Sequence, residues 1–151
     1  MPDTRPAAEA LDLEDPQRAL RQLGARAHQL RATTRAADHF NARDAAEDRN
    51  TGSWLMSSAL VLAADLAADI DVLARSVKER ATDSALRQTV ASLRVRAHQL
   101  HAAARAADHF LDQDSREDHE TGNWLVASAL DLARKLASEM DDGTAPVRKA
   151  A

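Results

Sequence analysis

His28, Arg35 and His39 lie within one stretch of the chain, and His98, Arg105 and His109 repeat their spacing 70 residues later. If the stretch is helical, at about 100° per residue, all three side chains fall on one side, about 120–160° from the apolar stripe. His28 and His39 are 11 residues apart, nearly three turns, so they stand in line. Ala25, Ala32, Ala36 and Phe40 flank them, as Ala102, Ala106 and Phe110 flank the second set. An arginine there can hold a carboxylate or phosphate through two parallel hydrogen bonds. A histidine there can titrate near neutral pH or bind a metal. Three readings follow: a solvated surface, a packing interface with a helix or partner chain, or a pocket for an anionic ligand.

Catalytic sets are missing from this pattern, and no catalytic residue is assigned. Asp38 precedes His39 and Asp108 precedes His109. Helical neighbours point about 100° apart, so neither Asp orients its own His. Ser58 and Ser128 sit in Ala/Leu-rich helical sequence, where a hydroxyl bonds a carbonyl one turn back. No strand-to-helix elbow exposes a nucleophile. A bundle di-iron site needs Glu-x-x-His pairs. The residues three before each His are Ala25, Ala36, Val95, His98, Ala106 and Arg116, so that site is excluded. His98 and His101 form an i, i+3 pair that could chelate a transition ion. Arg31 replaces His101 in the first stretch, so such a site would be one-sided. No HExxH or EF-hand pattern occurs, and no cofactor is expected.

A second shared cluster reads Asp44-Ala-Ala-Glu-Asp-Arg-Asn-Thr-Gly-Ser-Trp54, then Asp114-Ser-Arg-Glu-Asp-His-Glu-Thr-Gly-Asn-Trp124. Its structural reading is a turn: carboxylates and Thr51 or Thr121 cap the next helix, and Gly permits the bend. Its functional reading is a carboxylate-rich site for a hard cation or cationic group beside Trp54 or Trp124. The two Trp fall about 110° off the expected core stripe, so each is partly exposed or covers a groove, as a recognition anchor does.

These residues are positioned by a duplicated unit. From Leu23 to Asp71, 28 of 49 positions recur at the 70-residue offset. Leu20, Leu23, Ala27, Leu30, Thr34 and Ala37 alternate at spacings of three and four, a helical stripe. Leu55, Ala59, Leu62, Leu66, Ile70 and Leu73 make the next, and the second copy repeats both. The pattern predicts helices over 16–43, 52–79, 83–112 and 122–141. Asp15 with Pro16, and Thr82 or Asp83, supply N-terminal signals for the first and third. The fold expected is all-α: an antiparallel four-helix bundle of two tandem αα-hairpins related by a pseudo-two-fold axis. Its domain covers 15–141, with copy one at 16–79 and copy two at 83–141. Residues 1–14 and 142–151 read as disordered tails. A hairpin completing its core with another chain is the alternative.

Composition agrees. Aromatics are 3% and hydrophobics 44%, so the core must be Ala and Leu. No Cys occurs, which excludes disulfides and thiolate metal sites. The longest apolar run, Ala59 to Ala64, is far short of the roughly 20 residues a bilayer needs. No signal peptide is legible, so a cytoplasmic location is expected. Arginine makes up 17 of 20 basic residues, a bias expected from a GC-rich, bacterial-like gene. Within 16–43 there are six Arg against one Asp, yet they point several ways and the chain carries a net −4, which argues against nucleic acid. The function expected is a non-enzymatic bundle that binds a partner protein, or self-associates as a homodimer, through the His/Arg face of helices one and three. The alternative is a small-molecule (anionic) or metal-binding bundle, or an enzyme, with a duplicated His/Arg/Trp site.

Overall fold

A computed structural model describes residues 10–80 and 83–144. Four helices account for nearly all of them: α1 (Pro16–Asn41), α2 (Ala46–Glu79), α3 (Ser84–Leu111) and α4 (Arg116–Thr144). They form an antiparallel bundle. Helix α1 packs on α2 and α4, and α3 packs on α2 and α4. The two hairpin turns lie at one end, and the α2–α3 connection lies at the other.

Local signals set the starts of α1 and α3. Asp15 accepts from Arg18 N with Pro16 at the first helical position, and Asp83 accepts from Ala85 N. Thr82 lies outside the described residues. The other two starts differ from expectation. Helices α2 and α4 begin six residues earlier, so Thr51 and Thr121 are inside helices and cap nothing. Thr51 Oγ1 donates to the Glu47 carbonyl instead, at 3.0 Å. Helix α4 has Ser115, whose hydroxyl accepts from Asp118 N at 3.0 Å. The equivalent Ala45 offers α2 no side-chain cap, leaving Glu47 and Asp48 to favour the helix dipole.

The core is Ala and Leu, as composition required. Leu20, Leu23, Leu30, Leu66, Leu73, Leu93, Leu100 and Leu136 are its fully buried leucines. Each contributes about 1.5–3 kcal/mol on leaving water. The stripes of α1 and α3 fall where the spacing put them. Those of α2 and α4 are rotated: Leu55, Leu62, Leu125 and Leu132 are only half-buried, while Met56, Ala63, Ala67, Val126, Ala133 and Ala137 are buried. Each of these helices touches two neighbours, and alanines on the flank let the second approach closely. Of the stretch expected as an N-terminal tail, residues 10–14 are described. Leu11 and Leu13 pack against the core, and Glu14 pairs with Arg80 at 2.8 Å. Asp142 to Thr144 extend α4. Residues 1–9 and 145–151 lie outside the described residues.

Charge alternates around the bundle. Helix α1 carries five Arg and one Asp, and α3 carries four Arg and one Asp. Helix α2 carries six acidic residues against three basic, and α4 seven against three. Every adjacent pair therefore brings opposite signs together, and like-charged helices sit on the diagonals.

Candidate functional site

The repeated Arg-Ala-His triplet braces the bundle. Arg26 of α1 pairs with Asp69 of α2, its partner within the hairpin. Two residues on, His28 Nε2 reaches across to the Asp141 carboxylate of α4, at 2.9 and 3.0 Å. The second copy does the same: Arg96 pairs with Glu139 of α4, and His98 Nε2 lies 2.9 and 3.0 Å from the Asp71 carboxylate of α2. Arg94 Nε joins Asp71 at 2.6 Å. The hydrogen bond from His98 holds the Asp71 carboxyl below its ordinary pKa; burial opposes this, and Arg94 adds to it. His28 and His98, read from sequence as binding candidates, are thus engaged within the molecule. Of the His98 and His101 pair considered for a metal, His98 is thus held through Nε2 by Asp71. Among the described residues no group of three or more His, Asp or Glu stands close enough to hold a metal ion.

The rest of the stripe faces outward. Arg35, His39, Arg105 and His109 are exposed. Their side chains form no hydrogen bond or ion pair among the described residues. Each outer His packs edge-on against the next residue, His39 on Phe40 at 5.5 Å and His109 on Phe110 at 5.4 Å. Asp38 and Asp108 are half-buried. Asp108 accepts from Ser57 Oγ of α2 at 2.5 Å. Ala127 stands at the equivalent of Ser57, so Asp38 lacks that donor. A shallow groove of about 550 Å³ runs along α3 past His98, His101, Ala102, Arg105 and His109.

The acidic turns meet at the far end, where a depression of about 640 Å³ is lined by Asn41, Arg43, Asp44 and Arg49 from one turn and Asp112, Asp114, Arg116 and His119 from the other. Cations and carboxylates are mixed there, and Arg43 already pairs with Asp48 at 3.7 Å. Neither Trp lines it. Trp54 and Trp124 are 69% and 70% exposed, on the sides of α2 and α4 away from the core. Neither covers the α3 groove or the depression between the turns. The glycine beside each also has another role than a bend. Gly52 and Gly122 are buried within helices, where an added Cβ would overlap the Asn41 and Leu111 side chains. They let the hairpin helices meet near the turn. Ser58 and Ser128 donate to the Trp54 and Trp124 carbonyls at 3.1 Å, as mid-helix serines do.

The bracing acids escaped the sequence reading, though a signal was present. Asp71 and Asp141 recur at the 70-residue offset, as do the acidic positions 69 and 139. Periodicity finds faces; it does not supply the register between helices that pairs these acids with the triplets. No family model matches the chain, and no curated protein or solved structure matches it.

Proposed function

We propose that this protein is a non-enzymatic helical bundle that binds a partner protein through the outer faces of α1 and α3. One observation carries the reading: Arg35, His39, Arg105 and His109 are exposed and without polar side-chain partners among the described residues, while His28 and His98 of the same stripe brace the fold. Ala32, Ala102 and the half-buried Phe40 and Phe110 lie among them. Basic groups on a small-residue face fit an acidic, partly apolar surface. Capture from a lysate of the producing cells should retain a protein on the native chain and lose it on Arg35→Glu/Arg105→Glu. Identical proteins retained by both would overturn the reading.

The groove along α3 favours a second reading, in which Arg105, between His101 and His109, holds a small anion. Inorganic phosphate added during an NMR titration should then shift the His101 and His109 ring signals. Unmoved signals at millimolar phosphate would remove it.

A further inference from the structure

The outward strip of α2 differs from that of α4. From Trp54 to Ala74 its exposed residues are Trp54, Ser57, Val61, Asp65 and Ala68, with one charge among them. At the equivalent register α4 exposes Trp124, Ala127, Asp131, Lys135 and Ser138, with Arg134 beside them. The second copy carries Asp131 and Arg134 where the first has Val61 and Ala64. Val61 is 58% exposed, so the strip is open to contact.

Five exposed residues of α2 recur every seven positions: Glu47, Trp54, Val61, Ala68 and Arg75. A seven-residue spacing is the seam along which two helices cross at a shallow left-handed angle. The series is self-complementary when reversed about Val61. Turned end for end, the acid Glu47 meets the base Arg75, bulky Trp54 meets small Ala68, and Val61 meets itself. Side chains of Glu47 and Arg75 have no polar partner among the described residues. The two copies of Asp65 would lie about 12 Å apart along the axis, at a rise of about 1.5 Å per residue, beyond a screening length of about 8 Å. The second half cannot do this, because Asp131 replaces Val61 and would face its own copy.

We infer that the outer face of α2 is a homodimer interface, on which a second copy of this chain packs antiparallel about a two-fold axis at Val61. Like surface on like surface is the self-complementarity a two-fold dimer requires. The interface is one helix face wide, at the small end of specific contacts, so dimerisation is expected in the micromolar range. This surface is separate from the α1 and α3 faces, and it goes beyond the partner-binding reading.

Sedimentation velocity on the full chain, with variants at exposed positions, tests it. The native chain should pass from monomer to dimer as concentration rises through micromolar values. Val61→Asp, which imports the second copy's residue, should stay monomeric with unchanged helical circular dichroism. Glu47→Arg or Arg75→Glu alone should weaken dimerisation roughly three- to tenfold, the scale of exposed charge pairs. Glu47→Arg/Arg75→Glu together should restore it to within about twofold, since the pair is re-formed in reverse. Because the chain has no cysteine, Val61→Cys should oxidise to a disulfide-linked dimer and Asp131→Cys should not. A native chain that stays monomeric at several hundred micromolar overturns the proposal. So does a dimer that Val61→Asp leaves intact, or a charge swap that fails to restore what the single reversals lose.

Discussion

Asp71 receives three polar contacts, two from the His98 ring nitrogen and one from Arg94. Its carboxyl is held below the usual range. A depressed folded-state pKa stabilises the fold fully above the unfolded value, about 3.9, and the contribution disappears as pH falls through the folded value. Urea denaturation from pH 6 to pH 3 should therefore show Asp71→Asn losing less stability than the native chain over the acid limb. Equal losses would remove Asp71 as a source of acid sensitivity. The glycines give a sharper contrast. Alanine in a helix interior is favoured over glycine by about 1 kcal/mol. At Gly24 an added Cβ would meet Met140 at an ordinary 3.8 Å, so Gly24→Ala should stabilise by about that amount. At Gly52 the same atom overlaps Asn41. Gly52→Ala should destabilise instead, overpacking costing about 1–3 kcal/mol, and Asn41→Ala should relieve much of the loss. Thermal melts of these variants read both signs.

At the scale of the element, the α2 and α4 starts show how one sequence position changes a helix end. Ser115 caps α4, and Ala45 leaves the equivalent amides of α2 without a side-chain acceptor. Ala45→Ser should raise stability by about 1 kcal/mol, the usual value of such a cap. An unchanged denaturation midpoint would mean that water already serves those amides as well. Helix α2 buries a wider face than its leucine stripe, and its small residues at positions 63 and 67 turn inward as fully as Leu66 does. That rotation carries Trp54 and Val61 to the outside, where they form the strip assigned to a second copy.

At the scale of the whole molecule, alternating charge favours this arrangement of helices over the others that four amphipathic helices could adopt. Basic α1 and α3 pack on acidic α2 and α4, through Arg26–Asp69, His28–Asp141, His98–Asp71 and Arg96–Glu139. All four pairs are partly exposed, so salt screens them. Stability at pH 6 should fall as sodium chloride rises from about 0.02 to 0.3 M, where the Debye length drops below about 10 Å. A denaturation midpoint that stays level or rises would show that charge contributes little to helix arrangement.

Helical periodicity is a local property, so the sequence alone determined that there are four helices, their pairing into hairpins and much of the Ala/Leu core, though not the α2 and α4 starts. Asp15, Pro16 and Asp83 were legible for the same reason, since a cap acts within one turn. The roles of the polar stripe were not. His28 and Arg35 share a face and a residue class with equal claim to function, and only packing separates them. The register of α1 against α4 brings Asp141 to His28 and leaves Arg35 without a polar partner among the described residues. Gly52 likewise read as a bend until the approach of α1 gave it a packing role. Contacts between helices depend on axial offset and rotation, and a 3.6-residue repeat carries neither. The two hairpins were therefore written in the sequence, while the tertiary structure decided which of the residues they share brace the bundle and which lie exposed.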